Sequence, residues 1–205
     1  MSENEKTTLQ NILSAAKAEF LEKGFRGASL RNIVKTANVT TGAFYGYYKS
    51  KEELFDALVG EQADYMMYYY KKAQEDFEKL PPEEQPEKTG EISGQCMEKM
   101  LDYAYENLDE FKLILQCSEG TRYESYVHDM VEVEINATHK FNDVLKSLGR
   151  ESKLLNPQLE HMLVSGMFAA YFEMVIHEMP KEQAREYLKD LRAFYTAGWQ
   201  KIMGF

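Results

Sequence analysis

Disulfide bonds cannot organise this chain. It has two cysteines, Cys96 and Cys117, and each sits in apolar, helix-forming surroundings that suit a reduced core thiol. No apolar run approaches the roughly 20 residues that cross a bilayer, and the opening MSENEKTTLQ lacks the basic patch and apolar stretch of a secretion signal. The expected location is therefore the cytoplasm, with no membrane partner. Strand-like alternation of apolar and polar residues is missing throughout, which excludes a sheet-built fold. A surplus of cations is missing too: the net charge is −10 at pH 7, and as an average this argues against a polyanionic partner.

The average conceals an asymmetry. Residues 1–50 hold seven Lys or Arg against four Glu, a surplus of three positive charges, whereas residues 51–205 hold 17 against 30 Asp or Glu, a deficit of 13. Only the first segment can approach a phosphate backbone. The chain otherwise has ordinary globular composition, 44% hydrophobic and 28% charged, and 205 residues suffice for a sizeable core.

Helical periodicity fills the sequence. Thr7 and Gln10 have the spacing of a capping box, and Leu9, Ile12, Leu13, Ala16 and Phe20 then share one face until Gly24 ends the helix. Ser29 is placed to cap a short second helix, in which Leu30, Ile33, Val34 and Ala37 recur at helical spacing. Asn38 tolerates a left-handed backbone and turns the chain at 38–40. A third helix of about two turns is expected from Thr41, and Ser50 with Glu53 opens a fourth. Two short helices joined by a three-residue turn, braced by a longer helix, form the helix-turn-helix pattern.

The segment TTGAFYGYYKSKEEL sharpens that pattern. A helix that enters the major groove needs one side that is small or hydrogen-bonding and another that seats it on its own domain. Phe44 and Tyr48, four apart, are expected to pack inward, leaving Thr41, Gly42, Ala43, Tyr45 and Gly46 on a low outward surface. Lys51, in the first turn of the fourth helix, is expected to add its ammonium to a phosphate site at unpaired backbone N–H groups.

From Thr8 to Leu58 the ordered elements Gly24-Phe25, SLRNIVKTANV, FYGYY and KSKEEL resemble the DNA-binding domain of the TetR family of bacterial repressors. The resemblance implies DNA contacts at Arg31, Thr40, Thr41, Gly42, Ala43, Tyr45, Gly46, Tyr47 and Lys51. Asn38 stands where the family usually has a turn glycine, and Gly46 where it often has a bulky aromatic or His, so one base-reading side chain is missing. The resemblance implies a three-helix DNA-binding domain over residues 1–50; with helical periodicity along the whole chain the expectation is an all-α protein whose residues 51–205 form a larger helical domain for effector binding and dimerisation.

Beyond Leu58, periodicity alone speaks. It places a fourth helix to about Lys79, an exposed connection at PPEEQP, and helices at about 91–107, 108–117, 122–148, 157–179 and 181–203. From Leu159 to Met179 apolar residues occupy nearly every side, and the next helix carries a stripe of Ala184, Leu188, Leu191, Tyr195, Trp199 and Ile202. Such helices need partners on two faces, which predicts a two-fold four-helix interface between copies. The abundance of Met and Tyr suggests an adaptable apolar cavity, and polar residues within apolar faces mark it. Glu134 falls near the centre of an apolar face and needs a partner. Gln62 interrupts the fourth helix in the same way, and Glu173 and His177 either pair or face the cavity. With Met66, Tyr69, Tyr103 and Phe141 these are the candidate effector contacts, for a small apolar or amphipathic molecule. An internal ion pair is the competing account of Glu134.

Enzymatic signals are absent. There is no Cys pair at metal spacing, no phosphate loop and no nucleophile elbow, and no His is preceded three residues earlier by Glu. His128, Glu132, Asn136 and His139 share an arc of about 80 degrees, but it lies opposite the apolar face and reads as a solvated surface. No catalytic residue, metal or cofactor is expected. The sequence predicts a homodimeric regulator that binds a palindromic operator in double-stranded DNA and is released by the effector. The alternatives are a DNA-binding regulator controlled by a protein partner, and a helical metalloenzyme.

Overall fold

A computed structural model describes residues 3–150, 153 and 155–203. Among these, the regular elements are all helices: α1 (Glu3–Gly27), α2 (Leu30–Thr36), α3 (Thr41–Tyr45), α4 (Lys51–Glu78), α5 (Gln85–Glu106), α6 (Leu108–Gln116), α7 (Tyr126–Ser147), α8 (Pro157–Ile176) and α9 (Lys181–Met203). They form two compact units. The first comprises 1–64 and 107–126, and the second 65–106 and 127–205, so α4 contributes to both and α6 belongs to the first.

In the first unit, Phe20, Phe25 and Phe55 make a ring cluster with centroids 5.1 to 5.9 Å apart, and Ile12, Ile33 and Leu54 are fully buried. The capping expected at Thr7 does not occur. α1 starts earlier, at Glu3, with Glu3 and Glu5 favouring its N-terminal dipole, and the Thr7 hydroxyl donates back to Glu3 O at 3.0 Å. Gly24, at φ 67°, breaks the helix as predicted, and Phe25 N then donates to Cys117 O at 2.8 Å. Ser29 occupies the N-cap of α2 without a side-chain capping bond. The Glu19 carboxylate of α1 takes over, accepting from Ser29 N at 3.0 Å and Asn32 Nδ2 at 3.3 Å. The bond from Ser29, helped by Lys23 and Asn32, outweighs burial and lowers the carboxyl's pKa.

The turn between α2 and α3 follows the prediction. Asn38 adopts φ 55°, Asn38 N donates to Lys35 O, and Val39 N donates to Val34 O at 3.1 Å, which together satisfy the last carbonyls of α2. α3 is shorter than expected, ending at Tyr45. Ser50 and Glu53 do cap α4: Glu53 N donates to Ser50 Oγ, and Lys49 N donates to Glu53 Oε2 at 2.7 Å.

In the second unit, α5 begins six residues before the expected start, because Pro86 fits a first helical turn. Gln85 is buried there and caps the end of α4, donating from Nε2 to Glu78 O at 3.4 Å and to Leu80 O, just beyond it, at 3.0 Å. Asn156 caps α8 by accepting from Gln158 N at 2.9 Å. α8 is long and apolar enough to match a membrane span by length and composition. It nevertheless buries Val164, Phe168, Tyr171, Phe172, Met174 and Val175 inside this unit, with Glu160 paired to His139 at 2.8 Å, as a core helix does. Both cysteines are free and buried.

Candidate nucleic-acid interface and ligand cavity

α3 is a helix held by one side. Phe44 is fully buried and Tyr48 nearly so, their rings 6.0 Å apart, while Thr41, Gly42, Ala43 and Gly46 are exposed and Tyr45 is 53% exposed. Thr40 Oγ1 accepts from Ala43 N at 3.1 Å, so this hydroxyl shapes the helix start. At Gly42 a Cβ would meet nothing closer than 4.0 Å, so its value is a flat surface; at Gly46 it would press on Ala43 O at 3.2 Å. Arg31 is exposed on α2. Tyr47 is half-buried, its hydroxyl 3.4 Å from Glu5 O. Lys35 and Lys49, exposed on either side of the turn and α3, carry charges that periodicity does not single out.

Lys51 differs from the expectation of a freely offered ammonium. Nζ donates to Phe25 O at 2.7 Å and Ala28 O at 3.1 Å, and it lies 4.5 Å from the centre of the Phe25 ring. Two of its three hydrogens thus tie α4 to the segment between α1 and α2.

The second unit contains a cavity of about 320 Å³ lined by α4, α5, α7 and α8. Tyr70, Gln74 and Phe77 face Glu134 and Phe141, with Cys96 and Phe168 closing the wall. The ring pairs Phe77–Phe141 and Tyr70–Phe168 stand edge to face at 5.7 and 5.8 Å. Glu134 accepts from the Tyr70 hydroxyl and from Gln74 Nε2 at 3.0 Å. Burial raises the Glu134 pKa, and the two donors only partly oppose it. Burial and then the neighbouring Glu134 push the Tyr70 phenol well above its usual value, and the same two causes lift the Cys96 thiol to about 12. Cys96 is therefore a neutral thiol here. At the rim, Lys140 pairs with Glu78 at 2.7 Å.

Of the expected effector contacts, Glu134 and Phe141 line this cavity. Met66, Tyr69 and Tyr103 line a smaller one of about 230 Å³, where the Tyr103 and Tyr65 rings lie 4.4 Å apart. Gln62 is half-buried, belongs to the first unit and lines neither cavity. Glu173 and His177 pair with each other at 2.7 Å on an exposed surface, the first of the two arrangements open to them. Sequence reasoning missed Tyr70 and Gln74, the partners of Glu134. Their signal was a polar pair four residues apart on α4, with Tyr70 at the edge of the apolar face, four residues after Met66 and seven before Phe77.

Comparison with known proteins supports the first unit most directly. The profile of the family described as "Bacterial regulatory proteins, tetR family" matches residues 12–58. The TetC protein of transposon Tn10 from Escherichia coli is 40% identical over 60 residues, 29% of this chain and 30% of its own length. The transcriptional repressor NemR of Escherichia coli strain K12 is 29% identical over 117 residues, 57% of this chain and 49% of its own. The matches thus span half or less of these two relatives. Over a longer stretch, the fold is similar to FadR, a transcriptional regulator from Bacillus subtilis solved with stearoyl-CoA, at a TM-score of 0.53 and 17% identity, covering 92% of this chain and 98% of that one. The helix-turn-helix profile and the regulators that match it agree: residues 12–58 of this chain form a DNA-binding domain of the TetR family of bacterial regulatory proteins, within an all-α fold similar to that of solved regulators.

Proposed function

We propose that this chain is an effector-responsive repressor that binds a palindromic operator as a homodimer and is released when a small, largely apolar molecule enters the second unit. Residues 1–50 act as the DNA-binding segment and residues 51–205 as the effector-binding and dimerisation segment, working in the cytoplasm. The reading rests above all on α3, whose exposed row of Thr41, Gly42, Ala43 and Tyr45 is anchored from behind by the fully buried Phe44. That row offers hydroxyls and a flat approach to base edges, and Arg31, Tyr47 and the Lys51 ammonium are suited to the flanking phosphates. In a two-fold dimer, two such helices meet successive major grooves about 34 Å apart.

The dimer surface is supported by exposed apolar side chains on the last two helices: Met162 at 69%, Phe194 at 73%, and Leu159, Tyr187 and Ile202 at lower exposure. Glu134, with its raised pKa and two neutral donors, favours an effector whose apolar body carries one cationic or hydrogen-bond-donating group. The effector must prefer a conformation in which the paired α3 helices are mis-spaced, with a coupling of about 1 to 3 kcal/mol.

The decisive experiment is selection of duplex DNA from a random library on the purified protein, followed by fluorescence anisotropy on the selected sequence. An inverted repeat bound by a dimer, with affinity falling as salt rises, is the expected result. Retention of no duplex, or a monomer in sedimentation at micromolar concentration, overturns the reading. Native mass spectrometry of the purified protein checks the effector: a copurified small molecule lost in a Phe141→Ala variant supports the cavity, and control through a protein partner predicts none.

A further inference from the structure

One set of nitrogen and oxygen donors lies outside both cavities. His128 and Glu132 stand one turn apart on α7, and His161 reaches them from the second turn of α8. The three ligand atoms lie within 4.8 Å of one another. We propose that His128, Glu132 and His161 bind one divalent transition-metal ion of the zinc type.

The spacing carries the argument. A tetrahedral zinc ion with bonds of about 2.0 to 2.1 Å holds neighbouring ligand atoms roughly 3.4 Å apart. His161 Nε2 is already 3.4 Å from His128 Nδ1, and it is 4.0 Å from Glu132 Oε1. To reach the roughly 3.4 Å separations of a zinc site the carboxylate must move in by about 0.6 Å toward His161 and by at most about 1.4 Å toward His128. Glu132 is exposed and free to make that adjustment by a side-chain rotation. The fourth position is left to water.

The surroundings suit a metal ligand. Ser165 Oγ, one turn further along α8, lies 3.3 Å from His161 Nδ1. Accepting the proton of Nδ1 there turns the lone pair of Nε2 toward the other two donors, the usual way a ligating imidazole is oriented. Two imidazoles and one carboxylate favour zinc, nickel or copper over magnesium and calcium, which take oxygen shells. His128 and Glu132 are exposed and His161 half-buried, so an ion enters from solvent. The other members of the arc seen in the sequence are engaged elsewhere: Asn136 donates to Glu132 O at 2.8 Å, and His139 meets Glu160. A triad spread over α7 and α8 was invisible to spacing along one helix.

An ion there joins two helices that also wall the larger cavity, and it stabilises their pairing by mass action. The test uses the full chain, stripped with a chelator and titrated with Zn²⁺ in a calorimeter, with Mg²⁺ as the oxygen-preferring control. One Zn²⁺ per chain is expected, with Mg²⁺ silent, a rise in melting temperature on adding Zn²⁺, and intense visible absorption on loading with Co²⁺. His128→Ala and His161→Ala each lower Zn²⁺ affinity about 100-fold or more, and Ser165→Ala lowers it about 10-fold through loss of orientation. His177→Ala, Cys96→Ser and Cys117→Ser leave it unchanged. Helical circular dichroism of the metal-free variants checks that each folds. Failure of the stripped chain to take up Zn²⁺, or undiminished uptake by the His128→Ala/His161→Ala double variant, reduces the cluster to a histidine contact and overturns the site.

Discussion

The two units treat polar groups differently. Among the described residues the buried polar side chains are Ser118 in the first unit and Gln85, Asn142 and Glu160 in the second, where Glu134 also sits largely withdrawn from water. The first unit presents its candidate contacts outward, on α3, and keeps an apolar, ring-rich interior behind them. The second turns Glu134 inward and satisfies it against Tyr70 and Gln74. A surface built to meet DNA needs rigidity from behind. A cavity built to take a small molecule needs polar groups whose internal bonds an incoming ligand can replace.

Substitutions in the first unit should separate anchoring from contact. Phe44→Ala removes a fully buried ring, and a loss of about 3 to 5 kcal/mol is expected in urea denaturation, with DNA binding lost as well. A mild effect would mean that α3 is not held by that ring. Lys51→Ala strands Phe25 O and Ala28 O, and removing hydrogen bonds from a charged donor should cost about 1.5 to 3 kcal/mol. If stability holds while affinity drops equally for all DNA sequences, its ammonium serves phosphate alone.

Tyr45→Ala sharpens the comparison from the other side. The ring is exposed, so the urea midpoint should move by less than about 0.5 kcal/mol in stability. Anisotropy on the selected operator should still show a loss of roughly 1 to 3 kcal/mol in affinity. Intact affinity would remove Tyr45 from the interface.

Glu134→Gln gives the smallest expected change in stability, and its sign follows from the raised pKa. The native state keeps a proton on Glu134 at a pH where the unfolded chain has released it. Stability is therefore favoured below the ordinary carboxylate range, declines as pH rises toward the elevated native value, and stays lower above it. Thermal melts of Glu134→Gln should lack that decline and lie slightly above the unsubstituted chain at neutral pH, whereas its response to effector should change more. A variant less stable at every pH would mean that the carboxylate is held by a cation instead.

Much of the first unit was legible because its determinants are close in sequence. Asn38 in the left-handed region, the turn at 38–40 and the inward Phe44 with outward Tyr45 all depend on neighbours within a few residues. The misreadings there have local competitors. Thr7 lost its capping role to a helix that begins at Glu3, and Ser29 lost it to Glu19 from the preceding helix. In the second unit the helices were legible, but the grouping of the candidate contacts was not. Met66, Tyr69 and Tyr103 fall in one cavity and Glu134 and Phe141 in another, because helix periodicity tells which residues share a face and nothing about which face of another helix they meet.

By itself, the amino-acid sequence determined an all-α chain with a short outward helix after a left-handed turn, since capping, periodicity and ring placement act over one or two helical turns. Only the tertiary structure decided the partners: Tyr70 and Gln74 for Glu134, the carbonyls of Phe25 and Ala28 for Lys51, and His161 for His128 and Glu132. Those meetings join residues some 20 to 60 positions apart, where packing between helices, and not spacing along one, sets which atoms come within bonding distance.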